Sequence, residues 1–479
     1  MSNIKKNFFY NIAYQVLTMI LPLITAPYIS RILGTEGVGV YSYTYSVVYY
    51  FMLIAMLGIN NYGNRTIAKI RDNKQELNKN FWSIYSLQLI NTCIMIFSYI
   101  IYLNFFNIEN RNIATIQIIY LISVALDVNW FFFGLEKFKL TVTRNTIIKL
   151  LTVLSVFMFV KTKNDIWIYT VIMSLGTLIS QIVMWIFLKE YVSFIKVKPK
   201  EIGKHIKPAF ILFIPVIAVS LYKIMDKIML GNITDMNQVG LYENSEKIIT
   251  IITSLVTALG TVMLPRMSNL FANGEMEKGK KYITKSLEFT IIFSSALTFG
   301  IMSIADTFAP LFFGKEFTAS GRIIELLSIT TIFISIANVI RTQFLIPREK
   351  DKSYIISVLL GAVVNLIFNI LLIPKYQANG AAIGTIIAEF TVMIYQIFAV
   401  NKDINVIKTI FDNVHFFVLG IIMLIVNIII SKFVTNSLVL LCLQVGFGVI
   451  FYITTSIIVL MIKYKQSNIR ALYLKIKNI

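Results

Sequence analysis

Long apolar runs separated by short polar connections fill this chain from end to end. Fourteen can be delimited, at about 8–30, 38–63, 81–103, 112–133, 141–160, 166–188, 208–230, 240–264, 286–305, 322–346, 353–373, 380–400, 414–431 and 438–462. Most hold roughly 20 residues, enough helix to cross a hydrocarbon core about 30 Å thick. Runs this long and numerous have no soluble counterpart, and the strict alternation of a transmembrane barrel is absent. The pattern predicts an all-α, polytopic membrane protein with about fourteen transmembrane helices.

The pattern also repeats. Gly39-Val40-Tyr41 recurs as Gly240-Leu241-Tyr242, and Arg65 recurs as Arg266, both at an offset of 201. Leu33-Gly34 recurs as Leu230-Gly231, a few residues before the Gly-x-Tyr in each half. The basic stretch Lys189–Lys207 falls between the sixth and seventh runs and reads as the linker between repeats. Six crossings return the chain to its starting side, so both halves enter the membrane in the same orientation, as parallel repeats do. The expected organisation is a six-helix bundle over residues 1–195, a second over 196–405, and two additional helices with a cytoplasmic tail over 406–479. Transporters of duplicated plan carry their site between the halves near the bilayer midplane. Pro22 and Pro27 in the first run, and Pro208 and Pro215 in the equivalent seventh, are candidate interruptions on such a pathway. Proline is, however, commoner in membrane helices generally. The glycine-rich stretch 34–39 reads as a tight turn between helices.

Composition agrees with this class: 57% of the 479 residues are hydrophobic, 14% are charged, and the mean hydropathy is +0.74. The formal net charge of +20 does not point to nucleic acid, because the positives follow the topology. With Arg144 and Arg322, near the starts of their runs, counted with the connections before them, 31 of the 44 Lys and Arg fall in the N-terminus, the even-numbered connections and the C-terminal tail, and eight in the odd-numbered connections. Positive residues mark the cytoplasmic side, so both termini are expected in the cytoplasm. The first run is too long for a signal-peptide core and lacks a small-residue cleavage site, so it is expected to be retained. Cys93 and Cys442 lie in apolar runs and offer neither disulfide nor metal site. His205 and His415 lie near run ends, no phosphate-binding Walker loop exists, and no catalytic constellation is visible. No cofactor, metal or enzymatic activity is expected.

Candidate chemistry comes from ionisable residues inside the runs, where each costs a few kcal/mol or more unless it faces the bundle interior, faces water or snorkels. Lys149 sits in the fifth run. Lys223, Asp226 and Lys227 occupy i, i+3 and i+4 on the seventh, hence one face. Glu243, Glu246 and Lys247 repeat that spacing on the eighth. Asp127 and Glu389 lie near the middles of the fourth and twelfth runs, and Arg341 inside the tenth. Arg31 and Arg65 close the first and second. In the plainer account, Lys223–Asp226 and Glu243–Lys247 are local pairs, and Lys227, Arg31 and Arg65 snorkel. In the functional account the surplus is positive. Lys149, Lys223, Arg341, Arg31, Arg65 and Lys247 then hold an anion, best a phosphate or diphosphate, and Asp127, Asp226 and Glu389 couple or orient. Asn60, Asn61 and Asn64 read as interfacial caps that could also meet sugar hydroxyls.

Ile29-Ser30-Arg31-Ile32-Leu33-Gly34 with Gly37-Val38-Gly39-Val40-Tyr41-Ser42 resembles the opening of bacterial polysaccharide repeat-unit flippases. These belong to the multidrug/oligosaccharidyl-lipid/polysaccharide exporter superfamily. The segment from Asp127-Val128-Asn129-Trp130 to Phe138 extends the resemblance. So do Asp226–Gly231, Val239–Ile248 and Leu264-Pro265-Arg266-Met267-Ser268. The resemblance implies a MATE-like fold of two six-helix bundles around a central cavity, with two extra helices and a cationic lumen. It implies an undecaprenyl-diphosphate-linked oligosaccharide as substrate, moved from cytoplasmic to outer leaflet by alternating access for capsule, O-antigen or exopolysaccharide. Partners would then be the bilayer and a polysaccharide polymerase with glycosyltransferases. A peptidoglycan-precursor flippase and a cation-coupled multidrug exporter of the same superfamily are the alternatives.

Overall fold

The computed structural model describes the backbone of residues 2–106 and 109–477, and the described residues are helical with no strand. The helices are Ser2–Met56 (α1), Ile59–Ile70 (α2), Lys74–Phe105 (α3), Arg111–Ile116 (α4), Ile118–Ala125 (α5), Asn129–Gly134 (α6), Phe138–Phe159 (α7), Ile166–Leu188 (α8), Pro199–Ile233 (α9), Met236–Ala272 (α10), Met276–Phe313 (α11), Ser320–Ser328 (α12), Thr330–Ile340 (α13), Asp351–Val400 (α14), Val406–Phe411 (α15), Val414–Ser431 (α16) and Ser437–Lys477 (α17). Among the described residues, twelve stretches are long and apolar enough to cross a membrane. Two of these, Ile20–Ile70 and Asp351–Val400, contain 51 and 50 residues. A straight helix of that length would measure about 75 Å, more than twice a hydrocarbon core. Each turns inside an otherwise continuous helix at one residue, Gly34 (φ 69°, ψ −176°) in α1 and Gln377 (φ 53°, ψ −131°) in α14, and so supplies two crossings; Ile20–Ile70 is interrupted again at Leu57-Gly58, between α1 and α2. Fourteen crossings result, as the apolar pattern predicts. The turn after the first crossing is tighter than the glycine run suggests: Gly34 alone leaves helical geometry, and Gly37 and Gly39 already lie in the returning helix.

The chain packs into two compact units, Met1–Glu243 and Asn244–Ile479. The repeat is expected to divide at the linker after residue 195; within the first unit, α9 packs with α1, α2 and α3. In that unit Ile59, Phe81, Trp130, Phe131, Met184 and Ala209 form one fully buried cluster, and Val48, Tyr99 and Leu121 belong to another. The second unit centres on Ile283, Leu287, Ile291, Ile336, Phe344 and Ile397. Outward positions are apolar too, as for Phe97, Ile186 and Met461, each more than 60% exposed. A surface of this kind is stable against lipid and not against water.

In the first unit the repeated Gly-x-Tyr signatures pack on each other. A Cβ on Gly39 would lie 1.7 Å from the Met236 carbonyl oxygen, and one on Gly240 would lie 2.0 Å from the Thr35 carbonyl oxygen. Met236 and Thr35 are themselves separated by 201 residues. The contact is therefore reciprocal, as between two equivalent segments about a local twofold. Thr35 Oγ1 donates to Asn237 Oδ1 (2.6 Å), and Ser42 Oγ to Glu243, its own counterpart at the same offset (2.7 Å). Two elements of the second unit, α16 and α17, are tied to α11 by a buried amide cluster. Asn427 donates to Ser303 Oγ (2.9 Å), and Gln444 to the Ser303 and Asn427 carbonyls (both 3.2 Å).

Candidate functional site

The fourth crossing is broken between α5 and α6, at Leu126-Asp127-Val128. Backbone carbonyls released inside a membrane must find partners within the protein. Here Gln88 Nε2 donates to the carbonyls of Val124 (2.7 Å) and Asp127 (2.8 Å), and Trp185 Nε1 to that of Leu126 (2.9 Å). Gln88 Oε1 in turn accepts from Trp130 Nε1 (2.9 Å). Asp127 turns the chain into α6: its Oδ1 accepts from the Asn129 backbone N–H (2.8 Å) and from the Asn129 side chain (2.7 Å), an Asx turn.

Asn129 is the entry to a polar network. Arg144, only 5% exposed, donates through Nη2 to Asn129 Oδ1 and Asn145 Oδ1 (both 2.8 Å). Through Nη1 it donates to the Ser180 carbonyl (2.7 Å). Asn129 Nδ2 also donates to Gln181 Oε1 (3.0 Å), and Ser180 Oγ to Asn145 Oδ1 (3.2 Å). Sequence reading by depth misses Arg144, because it lies less than two turns into α7 and counts with the loop charges.

This network forms one wall of a cavity of about 430 Å³ in the first unit, large enough for a small ligand. Asn129, Asn145, Lys149, Ser180 and Gln181 line it, with Pro22 of α1 and Tyr169 of α8. Asn145 and Lys149 are one turn apart on α7 and so share a face. Close approach of α7 and α8 comes from Gly176, whose Cβ would meet Thr152 Oγ1 at 2.5 Å. Beyond Tyr169, the Tyr41 ring packs edge-on at 4.7 Å, and the Tyr41 and Tyr120 hydroxyls share a hydrogen bond of 2.8 Å. The prolines lie within continuous helix: Pro22 and Pro27 in α1, and Pro208 and Pro215 in α9. The discontinuity that lines the cavity is the fourth crossing instead.

The remaining expected residues have different surroundings. Lys227 is not a snorkelling residue: its Nζ lies 2.8 Å from Glu243 Oε2, with both side chains largely buried. Asp226, 2% exposed, accepts from the Tyr242 hydroxyl (2.7 Å). Lys223 is exposed on α9, Arg31 on α1 and Arg65 on α2. In the second unit, Arg341 opens a π-helical turn, Arg341–Leu345, with its guanidinium 5.5 Å from the Tyr354 ring centre. Single π turns inside helices occur frequently at functional sites. Lys247 is half-buried on α10, and Glu389 is buried on α14. The structure thus places Lys149, itself exposed, on a cavity that is also lined by Asn129, the hydrogen-bond partner of Asp127, and brings Asp226, Lys227 and Glu243 to neighbouring positions on α9 and α10. A second cavity, about 490 Å³, lies between α11, α16 and α17 and is lined chiefly by Leu, Ile, Val, Phe and Met. Its walls suit hydrocarbon and offer no cation to an anion.

Comparison with known proteins agrees with this architecture. A protein of Shigella dysenteriae named for O-antigen transport is 27% identical over 405 residues, which are 83% of this chain and all of that protein. A capsular polysaccharide biosynthesis protein, CapF of Staphylococcus aureus, is 23% identical over 81% of this chain and 97% of its own length. Among solved structures, the lipid II flippase MurJ in an inward closed conformation superposes with a TM-score of 0.78, over 94% of this chain and 98% of that one, at 17% identity. An inward-facing MATE multidrug transporter of the MOP superfamily gives 0.61 over 82% and 98%, at 13% identity. At such identities the likeness is one of fold, and it is all-helical and multi-pass. The family described as "Polysaccharide biosynthesis protein" matches residues 4–271, more than half of the sequence, and the chain belongs to it.

Proposed function

We propose that this chain is a flippase that moves undecaprenyl-diphosphate-linked oligosaccharide repeat units from the cytoplasmic to the outer leaflet of the bacterial plasma membrane. The product would be a capsule, O-antigen or exopolysaccharide. The observation that carries the reading is the polar cavity of the first unit, with Lys149 among amides inside a chain of membrane-crossing helices. A lysine and amides at that depth are costly unless a polar cargo or water meets them. Tyrosine 169, backed by Tyr41, adds an aromatic face of the kind on which sugar rings stack. Family membership and the relatives named for O-antigen transport and capsule biosynthesis support a glycan cargo. Alternating access follows from the duplicated plan, and the loop charges support cytoplasmic termini. Lys223 and Arg341 are further candidate contacts to the diphosphate, and Arg31, Arg65 and Lys247 secondary ones. Asp127, Asp226 and Glu389 are candidate coupling or orienting acids. Polymerase and glycosyltransferases would act on the same lipid-linked units.

Deleting the gene tests this reading. Lipid-linked oligosaccharide should accumulate on the inner leaflet, surface polysaccharide should disappear, and the wild-type chain should restore it. Among single variants, Lys149→Ala, Lys223→Ala and Arg341→Ala should lower export while the protein stays in the membrane. Normal export by all three would remove the cationic contacts from the mechanism. The likeness to MurJ favours a second reading, transport of a peptidoglycan precursor. That reading requires lethality on deletion without any loss of surface polysaccharide.

A further inference from the structure

We infer that Arg144 is a positioning residue that turns the wall of the 430 Å³ cavity into a surface of hydrogen-bond donors, and that the cavity thereby takes an oxyanion. The inference rests on the proposed function and deepens it, by giving the chemical class of the group bound there. A guanidinium can only donate. Arg144 donates to the side-chain oxygens of Asn129 and Asn145, and Ser180 Oγ donates to the same Asn145 oxygen. The Asn145 amide is therefore held with its oxygen toward Arg144, and its nitrogen has no protein acceptor among the described residues. Asn129 is held from both ends, by Arg144 on its oxygen and by the Asp127 carboxylate on its nitrogen. Turning that amide over would set donor against donor and acceptor against acceptor.

The polarity continues outward. Asn129 Nδ2 occupies the Gln181 oxygen, so Gln181 Nε2 is the atom left over, and it too has no protein acceptor among the described residues. The amide nitrogens of Asn145 and Gln181, together with the ammonium of Lys149, belong to side chains lining one cavity. All three are donors. A neutral sugar, carrying as many donors as acceptors, gains less from such a wall than a phosphate or a carboxylate does. Either oxyanion could come from the cargo: phosphate from its diphosphate linkage, or carboxylate from an acidic sugar. Arg144 itself is buried and reaches the ligand only through the amides.

The test is direct binding to the purified full-length chain in lipid nanodiscs, with three probes: farnesyl diphosphate, a glucuronate-containing disaccharide and neutral maltose. The wild-type chain should bind at least one anion about tenfold or more tighter than maltose, and the anion that binds names the source. Arg144→Gln and Gln181→Glu should each weaken anion binding about tenfold, a change of about 1.4 kcal/mol, and leave maltose unchanged. Gln181→Glu replaces a donor with an acceptor of the same shape, so its folding is checked by an unchanged melting temperature. Arg144→Lys keeps the charge but loses the fork that holds two amides, and should resemble Arg144→Gln. Anion binding no tighter than maltose, or wild-type anion binding by Gln181→Glu or Arg144→Lys, would overturn the inference. Export is scored separately in the deletion strain. Anion selectivity without rescue would sink the flippase reading alone, and rescue without selectivity would sink this one alone.

Discussion

Gln88 is uncharged and lies in the middle of an apolar run, yet it holds the carbonyls of Val124 and Asp127 and the indole N–H of Trp130 at once. Replacing it by leucine strands those groups where no water reaches, at about 1–3 kcal/mol for each buried group left without a partner. Gln88→Leu should therefore lower the melting temperature of the purified protein clearly, while Cys93→Ser, at an exposed position nearby on the same helix, should not. Residues of this kind mark the limit of a reading by charge and depth. Lys149 and Asp127 stand out in the sequence because ionisable groups inside apolar runs are rare. Gln88, Asn145 and Gln181 carry no charge, and their role follows only from which carbonyls and amides the helices bring within 3 Å or so. Arg144 carries a charge but sits where loop positives are expected.

At the scale of the elements, the apolar periodicity gives the crossings well, because crossing length and solvent are fixed by the bilayer. It gives their interruptions poorly. Proline marks four positions that turn out to lie within continuous helix, whereas the break in the fourth crossing is announced only by Asp127-Val128-Asn129, a polar pair inside a hydrophobic run. Two turns divide the long helices, and they should respond oppositely to substitution. Gly34 lies in a region of φ and ψ essentially reserved for glycine, so Gly34→Ala should cost about 1–3 kcal/mol. Gln377 stands in left-handed territory with a side chain, so Gln377→Gly should be tolerated or stabilise by about 1 kcal/mol. Thermal unfolding in detergent would report both. Farther along, Asp403 accepts from Lys350 Nζ at 2.7 Å, with Arg348 at 3.4 Å, and these partners hold its carboxyl below the usual range. A depressed carboxyl contributes stability above its unfolded pKa, and that contribution is lost as pH falls through the folded value. Asp403→Asn should thus destabilise by about 0.2–1 kcal/mol at pH 7, and wild type and variant should converge only as pH falls through the depressed folded value, below the usual carboxylate range. A gap that persists in acid would mean that the ion pair is not its source.

For the whole molecule, the duplication is legible in three short signatures, Gly-x-Tyr and Arg at an offset of 201 and Leu-Gly at 197, and the family resemblance follows from their order. What the offset alone cannot show is that the signatures touch. Gly39 and Gly240 each sit where a Cβ would collide with backbone belonging to the other's segment, at 1.7 Å and 2.0 Å. Close packing of this kind has no flexible neighbour to move aside, and Gly39→Ala or Gly240→Ala should cost about 1–3 kcal/mol or more through overpacking. In genetic terms the two positions form one locus read twice. A lesion in either copy cannot be repaired by shrinking a side chain opposite, because what stands opposite is main chain. Second-site suppressors of Gly39→Ala should consequently map away from residue 240, to positions that let the two helices part. Recombination that swaps one copy of the signature for the other should be nearly silent at these glycines, since each already matches the partner it would meet.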